Sequence, residues 1–179
     1  MGLIVLPVPN RSMDVFVDAS FAGEWVKGNE EQAKYDPNTA RSRTGYLIMY
    51  AGVPLVWGSK LQTEVTLSST EAEMVALSAA TQEAIFLLRV IKDITRYSAL
   101  DLNINGSRTL CKVHEDNQGT IAITEEYRIR PRTKHIKVKY WHFNKFMEEH
   151  QCIMSLHWIP SEKQLADIFT KPLNPELHH

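Results

Sequence analysis

At 179 residues and 44% hydrophobic, the chain is long enough for one domain with a sizeable core. No uninterrupted apolar run reaches membrane-spanning length, and the apolar start, Met1 to Pro9, has neither the basic flank nor the cleavage site of a signal peptide. A net charge of −1 argues against a uniformly basic nucleic-acid binder.

In chain order, a first strand is expected over roughly Asp14 to Ala19. There Val15-Phe16-Val17 is β-branched and aromatic and runs into the small residues Ala19 and Ser20. Glu24 to Arg43, polar and charged around Pro37-Asn38, reads as a long loop. Thr44 to Tyr50 is a second strand and Val53 to Trp57 a third. Ala51-Gly52 joins them by a tight turn, so the first three strands form an antiparallel meander. The strongest helical signal follows, from Ser69 to about Tyr97. Its apolar stripe, Ala76, Leu77, Ala80, Ala84, Leu87, Leu88 and Ile91, recurs at 3.6 spacing. The small residues of its first half let it lie close to a sheet.

After a turn at Asn105-Gly106-Ser107, a fourth strand runs from Thr109 to His114, and Gln118 to Glu125 is a short helix. Pro131 precedes an amphipathic helix, Thr133 to about Glu149. Cys152 to Ile159 is a fifth strand and Glu162 to Phe169 a last short helix, stopped by Pro172. This order predicts an α/β fold, a mixed five-stranded sheet flanked by helices. Residues 13–173 form the domain, 1–12 an extension and 174–179 a tail whose Leu177-His178-His179 reads as a tag remnant. Cys111 and Cys152 lie in apolar strand-like runs and read as buried free thiols, which fits a reducing compartment.

The charge is segregated. Between Tyr127 and Lys145 stand seven basic residues (Arg128, Arg130, Arg132, Lys134, Lys137, Lys139 and Lys145) and no acid, which leaves −8 for everything else. Such a chain can hold a polyanion with one face and cations with another.

Acids fall where a sheet would gather them. Asp18 ends the first strand among apolar neighbours, where an isolated charge costs several kcal/mol unless compensated. Asp116 follows the fourth strand as the chain turns into a helix, and open α/β sheets build their sites at the carboxyl ends of strands. Asp167 sits in the last helix, flanked by apolar residues. On the long helix both Glu71 and Glu73 complete a capping box, with Ser68 and Thr70 respectively. Periodicity separates them: Glu73 continues into Ala76, Leu77, Ala80 and Ala84, the face that meets the sheet, whereas Glu71 leads to a mixed face and caps. Acids converging from four elements repel unless cations lie between them. All-oxygen ligands select hard ions, Mg²⁺ or Mn²⁺, and two such ions activate a water and stabilise a leaving oxygen in phosphodiester displacement.

The motifs resemble the ribonuclease H domain of copia-type LTR retrotransposon polyproteins. They are Val15-Phe16-Val17-Asp18-Ala19-Ser20, Leu67-Ser68-Ser69-Thr70-Glu71-Ala72-Glu73-Met74-Val75-Ala76-Leu77 and Glu115-Asp116-Asn117-Gln118. Arg132-Thr133-Lys134-His135-Ile136 and Gln164-Leu165-Ala166-Asp167-Ile168-Phe169-Thr170-Lys171-Pro172-Leu173 complete the set. They come in the family's order over almost the whole chain. The resemblance implies the ribonuclease H fold, with strands 4 and 5 parallel to strand 1, and hydrolysis of the RNA strand of an RNA–DNA hybrid. It also implies two Mg²⁺ ions, with Mn²⁺ as substitute, held by Asp18, Glu73, Asp116 and Asp167. It further implies a reverse transcriptase polymerase domain in the same polyprotein, no membrane, and a location in cytoplasmic virus-like particles or the nucleus.

One departure from the family is visible: Pro160-Ser161-Glu162-Lys163-Gln164 lacks the flexible histidine that many ribonucleases H carry before the last acid. Whether His135 takes that part is open; as a phosphate contact it would serve with its basic neighbours. A hybrid presents a shallow minor groove with 2′-hydroxyls on one strand, which suits Ser20, Ser68, Ser69, Thr70, Asn117 and Gln118. Arg130, Arg132, Lys134 and Lys137 would grip backbone phosphate. Two competing readings share the fold: a non-catalytic nucleic-acid-binding or tether module, and an integrase or transposase core.

Overall fold

Val15 and Val17 are fully buried and Met13 with them, because β1 (Met13–Ser20) runs through the middle of the sheet. The computed structural model describes residues 12–22, 36–97, 109–125, 134, 145 and 152–171. Within these, β2 (Arg43–Tyr50) and β3 (Val53–Leu61) precede α1 (Ser69–Tyr97). β4 (Thr109–Glu115), α2 (Gln118–Glu125) and β5 (Cys152–Trp158) follow. The strand order is β3-β2-β1-β4-β5. β1 pairs antiparallel with β2 and β2 antiparallel with β3, while β4 runs parallel to β1 and β5 parallel to β4. The meander and the two parallel additions are those expected from the sequence.

Local chemistry accounts for the connections. The β2–β3 hairpin turns on Ala51 (φ 51°) and Gly52 (φ 78°), a pair of positive φ values whose twist matches that of the flanking strands. Glycine adopts this conformation freely; Ala51 does so at about 1 kcal/mol. α1 lies on β1 and β2 through a line of alanines: Ala72, Ala76, Ala80 and Ala84 are all completely buried. With no side chain beyond Cβ, they bring the helix backbone near the sheet, and Leu77, Met74, Ile48 and Val113 fill the space between. Each such large side chain contributes about 1.5–3 kcal/mol by leaving water. By length and composition, Ser69–Ile91 would also pass for a membrane-crossing helix; here it is the core helix of a sheet domain.

Three of the differences from expectation bear on the site. β3 extends four residues beyond Trp57, because Gly58 to Leu61 continue the ladder opposite Tyr46 to Arg43. The last helix is not an α-helix. It is two 3-10 turns, Ser161–Lys163 and Leu165–Phe169, separated by an extended Gln164 (φ −78°, ψ 98°). The buried Gln164 side chain donates to the Val17 carbonyl at 2.8 Å and to the His114 carbonyl at 3.4 Å, tying this segment across the ends of β1 and β4. These long-range bonds replace the local pattern an α-helix would need. β4 includes Glu115, one residue past the expected end. The helix expected over Thr133 to Glu149 lies outside the described residues except for Lys134 and Lys145, which are helical and exposed. Cys111 is buried, and the Cys152 side chain lies outside the described residues.

Candidate metal centre

The carboxyl ends of β1 and β4 are adjacent, and the acids they carry meet there. Asp18 stands at the β1 end, opposite Gly45 of β2, and is 1% exposed. Glu115 closes β4 and Asp116 follows it. Glu73, 5% exposed, reaches in from the first turns of α1, and Asp167 from the Leu165–Phe169 turn. Carboxylate oxygens of Asp18, Asp116 and Asp167 all lie within 4.8 Å of one another, and so do those of Glu73, Glu115 and Asp116. The two sets share Asp116. All four acids singled out in the sequence are thus brought together, and Glu115 joins them.

The helix start separates its two glutamates. The Glu71 carboxylate accepts from the Leu67 N–H at 2.7 Å, and the Glu71 N–H donates to Ser68 Oγ at 3.1 Å, a reciprocal cap. Glu73 is left to face the sheet, and its Oε2 is buried with no hydrogen-bond partner among the described residues.

Electrostatics express the crowding. Burial, then the charges of Glu115, Asp18 and Asp116, push the Glu73 carboxyl up to about 10, with Lys171 opposing. Burial raises the Glu115 carboxyl to about 8 against the Asn117 backbone hydrogen bond, and Asp116 and Asp18 add to the rise. Asp167 is raised by burial and by the charges of Asp18 and Asp116, while Lys171 lowers it.

One cation already sits in the nest. Lys171 Nζ lies 3.2 Å from Asp18 Oδ1 and 3.0 Å from Asp167 Oδ1, bridging two carboxylates from opposite ends of the chain. Burial disfavours its charge, but Asp18 and Asp167 outweigh that and raise the Lys171 ammonium above its ordinary value. Thr170 Oγ1 also donates to Asp18, and Ser161 Oγ donates to Asp116 Oδ2 at 2.7 Å. Thr170 and Lys171 belong to a motif quoted above without a role; Ser161 lies in the loop noted only for its missing histidine.

Two glycines permit the assembly. A Cβ on Gly45 would stand 2.5 Å from Thr170 Cγ2, 2.9 Å from Phe169 Cβ and 3.1 Å from the Ala166 carbonyl. Gly45 therefore lets the Asp167 segment settle directly over the sheet beside Asp18. A Cβ on Gly119 would come within 3.0 Å of both Thr70 Oγ1 and Asn117 Oδ1, so Gly119 seats α2 against the start of α1.

The short polar residues named in the sequence divide. Ser68 caps α1, and Asn117 Oδ1 caps α2 by accepting from the Thr120 N–H at 3.1 Å. Ser69 and Gln118 are exposed, and Ser20 and Thr70 half-buried, around the acid cluster's elements. Lys134 is exposed; Arg130, Arg132, His135 and Lys137 lie outside the described residues.

The fold has counterparts among solved structures. The N-terminal RNase H domain of rv2228c from Mycobacterium tuberculosis superposes with a TM-score of 0.57, covering 90% of this chain and 91% of that one at 13% identity. LC11-RNase H1, solved in complex with an RNA/DNA hybrid, gives 0.55 over 89% and 94% at 17% identity. In sequence, the chain is 32% identical over 136 residues, 76% of its length, to the retrovirus-related Pol polyprotein from transposon TNT 1-94 of Nicotiana tabacum. It spans 9% of that polyprotein's length. No protein-family model matches. The fold is that of ribonuclease H. The chain's homologues are retrovirus-related Pol polyproteins of plant transposons, and sequence and fold together are consistent with the ribonuclease H domain of a copia-type polyprotein.

Proposed function

We propose that this domain is a metal-dependent endoribonuclease that hydrolyses the RNA strand of RNA–DNA hybrids. In this reading it works inside a polyprotein that also carries a reverse transcriptase. The observation that carries the proposal is the meeting of Asp18, Glu73, Asp116 and Asp167, from four separate elements, at the carboxyl ends of β1 and β4 in a ribonuclease H sheet. Such a cluster raises the energy of the fold unless it serves to hold cations. A neighbour of the same fold was solved with an RNA/DNA hybrid, which supports the substrate class.

The donor set fits hard divalent cations. Every side chain offered is a carboxylate, Glu73 Oε2 is buried without a partner among the described residues, and the Lys171 ammonium already bridges Asp18 and Asp167. Asp18, Asp116 and Asp167 would hold one Mg²⁺ or Mn²⁺ ion, and Glu73 with Asp116 a second. A bound pair would supply a deprotonated water and charge stabilisation on the leaving oxygen. The chain's own residues then do the rest. Thr170 and Ser161 fix the orientations of Asp18 and Asp116. Lys171 offsets the repulsion between the Asp18 and Asp167 carboxylates. The buried floor of alanines and β1 keeps bulk water from beneath the site. Ser20, Ser69, Thr70 and Gln118 would read the 2′-hydroxyl groove. Arg130, Arg132, Lys134, His135 and Lys137 would grip phosphate, so affinity falls as salt rises.

The test is incubation in Mg²⁺ with end-labelled RNA–DNA hybrid, double-stranded RNA and double-stranded DNA. Internal cleavage of the RNA strand in the hybrid alone, leaving 3′-hydroxyl and 5′-phosphate ends, is expected. Binding without cleavage would instead make the domain a tether, and joining of DNA ends an integrase-type core.

A further inference from the structure

Glu115 has no part in the four-acid scheme, yet it is the most deeply placed acid in the cluster. It is completely buried at the end of β4. Its alternation with Cys111 and Val113, both in the core beneath α1, turns it toward the helix that carries Glu73. One of its oxygens, Oε1, accepts from the Asn117 N–H at 3.0 Å. The other, Oε2, is buried with no hydrogen-bond partner among the described residues, as is Glu73 Oε2. Oxygens of Glu73, Glu115 and Asp116 lie within 4.8 Å of one another.

Two unpartnered buried oxygens from different elements, beside a third carboxylate, leave the site short of positive charge. Among the described residues no cationic side chain bonds to either oxygen; Lys171 bridges Asp18 and Asp167 instead. A structural glutamate in a strand would have both oxygens satisfied, since an unmet buried acceptor destabilises the fold, the more so when it is charged. A divalent cation satisfies both orphans at once and needs only oxygen donors.

We propose that Glu115 is a fifth carboxylate of the metal centre, ligating one divalent cation together with Glu73 and Asp116. Asp18, Asp116 and Asp167 form the companion set, and Asp116 is common to both. This rests on the metal-centre reading above and adds a ligand to it. Asn117 has a role in it too: its N–H holds one Glu115 oxygen so that the other is presented to the ion.

The experiment is a calorimetric Mn²⁺ titration of the intact domain, without nucleic acid, alongside melting temperatures with and without Mn²⁺. Compared are the native chain, Glu115→Gln, Glu115→Thr as a smaller side chain, and Asp167→Asn. Expected for both Glu115 variants is at least about tenfold weaker binding in one step and none in the other. Asp167→Asn should weaken the other step instead. In the absence of metal both Glu115 variants should melt higher than the native chain, and Mn²⁺ should raise their melting temperature less. Native-like Mn²⁺ affinity in both folded variants would overturn the assignment and leave Glu115 as a buried acid, with the four-acid centre intact. Failure of the native chain itself to bind Mn²⁺ would overturn this inference and the metal-centre reading together.

Discussion

Replacing Gly45 by alanine tests how tightly the Asp167 segment must be seated. The new methyl would lie 2.5 Å from Thr170 Cγ2, 2.9 Å from Phe169 Cβ and 3.1 Å from the Ala166 carbonyl oxygen. Carbon atoms in contact prefer about 3.5–4.0 Å, so the segment has to retreat by about 1 Å. It cannot do so by a rotamer change alone. Thr170 is β-branched and holds Asp18, and the Phe169 carbonyl accepts from Ser59 Oγ at 2.6 Å on β3. Overpacking of this kind costs about 1–3 kcal/mol. The retreat carries Asp167 and Lys171 away from Asp18, and a displacement of about 1 Å at a reacting centre lowers rate by about a hundredfold. Urea denaturation and initial rates of hybrid cleavage in saturating Mg²⁺ measure the two effects. Gly58→Ala is the comparison: there the added methyl meets the Tyr46 ring at 2.7 Å rather than the Asp167 segment, and should cost stability while lowering cleavage less than Gly45→Ala does. Native stability and native cleavage in Gly45→Ala would refute the close seating of this segment.

We make three further predictions. Glu73→Gln should abolish Mg²⁺-dependent cleavage, while Glu71→Gln should leave it within a few-fold of native and cost about 1 kcal/mol of stability through the lost cap; parallel rates and melts decide. In EDTA the domain should lose stability as pH rises from about 5 to 8, because the folded state raises Glu73 to about 10 and Glu115 to about 8 and therefore favours their protonated forms. That stabilisation is complete below the ordinary carboxyl value and fades as pH climbs toward the raised ones, by up to about 1.4 kcal/mol per pH unit and group; a melting temperature that rises over this range would contradict it. Lys171→Met should lower metal-free stability by about 1 kcal/mol, a modest figure because the ammonium is 43% exposed, and should tighten Mn²⁺ binding by removing a competitor. Unchanged Mn²⁺ affinity in that variant would mean Lys171 and metal do not compete.

Much of this architecture could be read from the chain because local and global signals agree. Val15, Phe16 and Val17 favour a strand, the Ala72-Ala76-Ala80-Ala84 spacing favours a helix lying close to a sheet, and Ala51-Gly52 turns one strand into the next. The choice of Glu73 over Glu71 followed from the same periodicity, and the Ser68–Glu71 cap shows how the helix start divides them. What stayed hidden depends on distant partners. Thr170 and Lys171 reach Asp18 across 152 and 153 residues, and no spacing rule encodes that. Gln164 breaks the last helix into 3-10 turns through its bonds to the Val17 and His114 carbonyls. Glu115 escaped for a smaller reason. The expected fourth strand ends at His114, and only when it runs one residue further does alternation turn Glu115 inward.

The most direct measurement is the rate at which the native domain and Asp116→Asn cut the RNA strand of a labelled hybrid in Mg²⁺. Asp116 is the acid common to both carboxylate sets, so the account predicts a native-like melt for the variant with cleavage lost. Substantial Mg²⁺-dependent cleavage by folded Asp116→Asn would contradict it.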